Sequence, residues 1–152
     1  MEKSSNEELS ETAITAWAQL LRSSQNLLAN IEAELKSKKM PPLSWYDALL
    51  ELRNQKTNRL RPFELQKRML LTQYNMSRLI DRMARDGFIE CLDCNEDKRG
   101  KIVHITQSGR ALLRKMWPIY RLAIINGFAS KLDESEIDKL SEILLKITVT
   151  ED

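Results

Sequence analysis

The chain has 152 residues, 42% of them hydrophobic and 30% charged, with only four glycines and four prolines. That is one domain's worth of helix-rich globular sequence (1–152), and it excludes a disordered, fibrous or disulfide-stapled protein. The net charge of +2 is too small to imply a polyanionic partner, but residues 53–101 carry 12 Lys/Arg against 7 Asp/Glu while the remainder carries 12 against 15. A basic middle between mildly acidic ends suggests one surface facing a polyanion. No window approaches the roughly 18 apolar residues of a membrane span and no signal segment opens the chain, so no membrane partner and a cytoplasmic location are expected.

The polar residues 1–8 are expected to fray. From 9 to 36, Ala13, Trp17, Leu20, Leu21, Leu27, Leu28, Ile31 and Leu35 recur at three- and four-residue intervals, one face of a helix about 40 Å long. "SKKMPPL" ends it, because paired prolines cannot continue a helix. "SWYDALLELRN" predicts a second helix with Ser44 as N-cap and Asp47 near its positive end. Arg61-Pro62 opens a short third helix running to about Leu70.

"LTQYNMSRLIDRMARDGF" predicts a fourth helix. Thr72 is the expected cap, Met76, Leu79, Ile80 and Met83 form the apolar stripe, and Gly87 is the stop. Its first turns and outer face carry Gln73, Tyr74, Asn75, Ser77, Arg78, Arg82 and Arg85. Two short helices around a tight turn, the second studded with amides, hydroxyls and arginines, make a helix-turn-helix whose side chains suit the base edges of a major groove.

"FIECLDC" and "KIVHIT" then flank "NEDKRG", which predicts an antiparallel hairpin. Thr106 caps a long helix that Pro118 is expected to kink or interrupt, and Asp133 and Glu136 form a capping box for the last helix. There is no internal repeat.

The hairpin holds both cysteines and the single histidine. Zinc normally takes four ligands, and Cys91, Cys94 and His104 gain at best Asp93, so no metal and no cofactor are expected. Cysteines three apart on a strand lie about 10 Å apart on opposite faces, too far for a disulfide. With the turn at Asp97-Lys98, Cys91 comes opposite His104 and Cys94 opposite Lys101, where a lysine could lower the thiol pKa. The expectation is small strand residues without chemistry, with redox sensing through Cys91/Cys94 the alternative.

The run from Leu71 to Leu113 resembles the helix-turn-helix and wing of the MarR family of bacterial transcription factors. The resemblance rests on Asp97, Arg99, Val103, Ile105, Thr106 and Gly109 in and after the wing, and on Ser77, Asp81, Arg82 and Met83 in the recognition helix. It extends over roughly 9–147, with "LSWYDALLEL" where the family has a Leu-Ser/Thr helix. It implies a mainly α fold of six helices with a small β-hairpin wing. The winged helix-turn-helix lobe would span 43–107, and the long helices 9–36 and 110–147 would form a dimerisation lobe.

The resemblance further implies a homodimer that represses from a pseudo-palindromic double-stranded DNA operator. Gln73, Tyr74, Asn75, Ser77 and Arg78 are the expected contacts to bases and nearby phosphates. Arg99 is expected in the minor groove, oriented by Asp97, with Lys98 and Lys101 on phosphate. A small aromatic or anionic effector is the usual input, and Trp17, Trp45, Tyr46, Asp47 and Arg78 are the expected lining. Trp17, Asp47 and Arg78 are similar to positions of a urate-responsive branch, although Cys91 stands where that branch has a basic residue. The sequence has no G-x-S-x-G, phosphate loop or H-E-x-x-H, so no enzyme is expected. A winged helix used only for protein–protein contact is the remaining alternative.

Overall fold

The computed structural model describes residues 8–93 and 101–148. Helix α1 spans Glu11–Ser37, and its N-cap Ser10 accepts a hydrogen bond from the Ala13 amide at 3.1 Å. Only Ile31 and Leu35 of its apolar residues are buried, and Trp17 is 62% exposed. The helix closes through Lys39 in the left-handed region at φ 59°, where the Met40 amide reaches back to the Leu35 carbonyl.

Helix α2 spans Leu43–Arg53, and its N-cap is Pro42, not Ser44. Proline offers no side-chain cap, and the requirement is met from a distance: the Glu32 carboxylate on α1 accepts from the Leu43 amide at 2.9 Å. Helix α2 is the centre of the core. Leu43, Tyr46, Asp47, Ala48, Leu49 and Leu52 are buried against α1, α5 and the sheet.

A two-residue strand β1, Arg59–Leu60, follows, then α3, Pro62–Arg68, and α4, Met76–Arg85. Strand β1 was not legible in the sequence pattern. It pairs with β3 (Lys101–Ile105), which also pairs with β2 (Ile89–Asp93), so the wing is a three-stranded antiparallel sheet in the order β1-β3-β2. The register puts Cys91 opposite Val103 and Glu90 opposite His104, one residue away from the pairing expected of a turn at Asp97-Lys98. A one-residue slip exchanges the sheet faces. Cys91 therefore shares a face with the buried Ile89, Val103 and Ile105 and packs half-buried against the core. Among the described residues no cluster of His, Cys, Asp or Glu could hold a metal. Cys94 lies outside the described residues.

Helix α5 runs from Gln107 to Gly127 without a break at Pro118, followed by a 3-10 turn at Ala129–Lys131 and α6, Glu134–Thr148. Asp133 and Glu136 close the expected reciprocal cap at 2.8 and 3.1 Å. The N-terminal half of α5 is core, through Leu112, Leu113 and Met116; beyond it Trp117 and Leu122 are exposed, as are Ile143, Leu145 and Ile147 on α6. No helix among the described residues is long and apolar enough to cross a membrane.

Candidate nucleic-acid interface

Helix α4 is held at both ends by specific chemistry. Its cap is Asn75, three residues after the expected Thr72: the Asn75 Oδ1 accepts from the Arg78 amide at 3.0 Å. At the other end Gly87 takes φ 82°, which lets the Phe88 amide reach the Met83 carbonyl at 3.0 Å and the Gly87 amide reach Ala84 at 3.1 Å. These two bonds form a Schellman stop. Leu79, Ile80 and Met83 are buried, while Ser77, Arg78, Asp81, Arg82 and Arg85 are exposed on the outer face. A helix that buries one stripe and offers hydroxyl and guanidinium groups on the other can enter a groove and donate to base edges and phosphates.

The turn before α4 is fixed by a buried carboxylate. Asp47 on α2 is 7% exposed, and its two oxygens accept from consecutive amides of that turn, Leu70 N at 3.1 Å and Leu71 N at 2.7 Å. These two bonds span 23 and 24 positions and tie the segment leading into α4 to the core. Of the other expected contacts, Gln73 is exposed, and Tyr74 is half-buried with its hydroxyl 3.5 Å from the Gln66 carbonyl. Lys101 is exposed at the start of β3. Asp97, Lys98 and Arg99 lie outside the described residues.

The base of the wing is locked to α5. The Thr106 hydroxyl donates to the Gly87 carbonyl at 2.7 Å and accepts from the Gly109 amide at 3.1 Å. A Cβ at Gly109 would collide with the Phe88 carbonyl oxygen and come within 2.9 Å of Ile105. The motif residues Thr106 and Gly109 are thus the joint between wing and helix.

A cleft of about 430 Å³ opens between α2, the turn after α3 and α5, lined by Tyr46, Asp47, Glu51, Arg68, Tyr120 and apolar neighbours. Of the five residues expected around an effector, Tyr46 and Asp47 line this cleft and the other three do not. Trp17 projects from α1, Trp45 packs edge-on against Phe88 at 5.9 Å, and Arg78 faces outward on α4. Tyr46 stacks on Trp117 at 6.2 Å and meets Tyr120 at 5.2 Å. Burial pushes the hydroxyls of Tyr46, Tyr74 and Tyr120 up, and the Asp47 charge pushes Tyr74 and Tyr120 further. The Glu51 carboxyl is raised by burial and then by Asp47, with Arg68 opposing. Sequence reasoning missed Glu51, Arg68 and Tyr120, because only the tertiary fold brings them to Asp47.

A short helix, a tight turn and a capped second helix, backed by a three-stranded wing, define a winged helix-turn-helix protein. Residues 40–100 match the model described as "MarR family", and the named relatives that the chain resembles are transcriptional regulators rather than enzymes. The chain is 28% identical over 110 residues to the HTH-type transcriptional repressor YetL of Bacillus subtilis, covering 70% of this chain and 66% of that protein. It spans between about half and two thirds of the length of the curated relatives it matches. Its fold is similar to that of Sco3205 of Streptomyces coelicolor, a MarR family regulator solved in complex with DNA, at TM-score 0.81 and 24% identity over 95% of this chain and 91% of that one. It is also similar to BpsR of Bordetella bronchiseptica, whose DNA binding is regulated by 6-hydroxynicotinic acid, at TM-score 0.76 and 20% identity over 96% and 99% of the two chains. At these identities the structural likeness is one of fold.

Proposed function

We propose that this protein is a homodimeric, sequence-specific DNA-binding repressor that leaves a pseudo-palindromic operator when a small molecule enters the α2–α5 cleft. The observation that carries this is the outward face of α4: Ser77, Arg78, Arg82 and Arg85 on a helix capped by Asn75 and tied to the core by Asp47. Asn75 has its oxygen engaged in the cap, which leaves its amide NH2 available to a base or phosphate acceptor. Gln73 and Tyr74 precede this face, and the family resemblance assigns Arg99, oriented by Asp97, to the minor groove, with Lys98 and Lys101 on phosphate. The repressor assignment follows YetL, and the DNA complex of Sco3205 supports the mode of docking.

A second copy is the occupant that suits the exposed Trp17, Leu20 and Leu21 on α1 and Ile143, Leu145 and Ile147 on α6, since long terminal helices with uncovered apolar faces pair by two-fold symmetry. Such a dimer presents its two α4 helices to successive major grooves, with half-sites about 10 bp apart. Effector release has a structural basis in the shared residue: Asp47 lines the cleft and holds the turn that positions α4. A ligand that competes for this carboxylate loosens the reading helix.

The test is selection of bound sites from a random DNA pool, followed by gel-shift titration of the selected operator. Arg99→Ala is expected to weaken binding at least tenfold without unfolding the protein, and log K should fall steeply with log salt, by about 0.9 per phosphate contact. Recovery of no palindrome, together with a flat salt dependence, would remove the DNA-binding assignment.

A further inference from the structure

The charge of the cleft specifies the ligand more narrowly than its position does. It contains two carboxylates, Asp47 and Glu51, and one cation, Arg68. Arg68 is exposed to solvent and acts electrostatically on Glu51, so the two offset one another at the mouth. Arg53 acts on Tyr46 from outside the cleft lining and is also exposed. Asp47 is the inner charge. Its oxygens accept one amide bond each, which uses two of about four lone-pair sites and leaves acceptor capacity on the cleft side. Around it stand the rings of Tyr46 and Tyr120 and the apolar side chains of Leu43, Leu50, Met69 and Leu71.

An inner carboxylate, aromatic rings and an apolar wall favour a positively charged organic group, because the ring faces and the carboxylate attract the same sign. They disfavour an anion, which would enter a cleft whose two carboxylates outnumber its one cation. The volume of about 430 Å³ lies in the range of small-molecule sites.

We infer that the α2–α5 cleft binds an organic cation, an amine or quaternary ammonium carried on an aromatic or similarly sized apolar body, with Asp47 and Glu51 as its counter-charges. This rests on the cleft being the effector site; it keeps the aromatic body of the expected aromatic or anionic effector and reverses the charge. An ammonium on the free lone pairs of Asp47 would draw its charge away from the Leu70 and Leu71 amides and weaken both bonds, so ligand charge and release of the turn become one event.

The experiment uses three probes of one shape and different charge: phenethylamine, 2-phenylethanol and 3-phenylpropanoate. Binding to the full chain is followed by calorimetry and by intrinsic tryptophan fluorescence, without DNA. The expected order is cation, then neutral, then anion, with the cation at least tenfold tighter than the anion. In Glu51→Gln that preference should shrink severalfold while thermal unfolding remains cooperative. An anion that binds as tightly as the cation, or no binding of any probe at millimolar concentration, overturns the inference. Because the measurement contains no DNA, it fails separately from the regulator assignment: operator binding with a reversed charge preference sinks only the ligand class, and cation binding without operator binding sinks only the regulator.

Discussion

Replacing Asp47 by Asn isolates the role of the buried carboxylate with almost no change in volume. The aspartate gives the Leu70 and Leu71 amides one charged acceptor each, at 3.1 and 2.7 Å. Asparagine keeps one oxygen and turns an NH2 toward the other donor, so one charge-assisted bond is lost and a donor faces a donor. Bonds to charged groups contribute about 1.5–3 kcal/mol, so the loss is about 2 kcal/mol. If that cost falls on holding the turn in its DNA-reading position, operator affinity drops about 30-fold, since 1.4 kcal/mol is tenfold. The same loss lowers the melting temperature by about 4–8 °C for a chain of this size. Anisotropy titration of a labelled operator and a thermal melt read the two effects, with Asp47→Ala as a harsher comparison. An Asn variant within twofold of the parent affinity and with an unshifted melt would show that the two bonds do not position the reading helix.

Gly109→Ala should destabilise by about 1–3 kcal/mol through overpacking against Phe88 and Ile105, whereas an ordinary helical Gly→Ala change stabilises; a higher melting temperature would contradict the joint described at Thr106. Asn75→Asp keeps a capping oxygen and should retain stability, while losing operator affinity to phosphate repulsion; Asn75→Ala should cost about 1 kcal/mol. Equal operator affinity in the Asp variant and the parent would leave Asn75 a cap only. Glu51 gives a pH test. Its folded pKa lies above the ordinary 4.5, so the folded chain binds more protons and its stability falls as pH rises through that window. Glu51→Gln lacks this loss and should be the more stable protein at pH 7, with the advantage disappearing below the window; urea melts at the two pH values would expose the opposite order.

The elements with local chemistry were readable from sequence. Gly87, the Thr106 cap and the Asp133/Glu136 pair each carry their reason within a few residues, and the apolar periods with the Pro62 start placed all six helices; Gly109 was marked only by the family resemblance, since the Phe88 carbonyl that excludes a side chain there is 21 residues away. What was not readable depends on distance. Ser44 has the right residue type for a cap, but Glu32, eleven residues before Leu43, supplies the acceptor instead. Thr72 and Asn75 are both competent caps, and the choice follows the apolar stripe, which begins at Met76. The wing register hung on an assumed turn, so a slip of one residue moved Cys91 from beside His104 to the core face. Strand β1 has two residues and no periodicity to detect. Asp47 looked like a charge at the start of a helix, and only the folded chain brings the turn at 70–71 to it.

Helix α5 belongs to both halves of the molecule. It is rooted in the wing by Thr106 and Gly109, passes the cleft at Tyr120, and ends in the apolar surface that suits a partner. At 21 residues it is a rod about 30 Å long. A tilt of roughly 10° about one end moves the other by about 5 Å, more than the 3.4 Å rise of a base step. The rod also has a compliant point, because Pro118 has no amide to give the carbonyl one turn back, and it lies two residues from Tyr120. If the proposed dimer and effector site hold, α5 is a lever with its compliant point beside the cleft, and a small displacement there would be delivered as a change in the spacing of the two α4 helices.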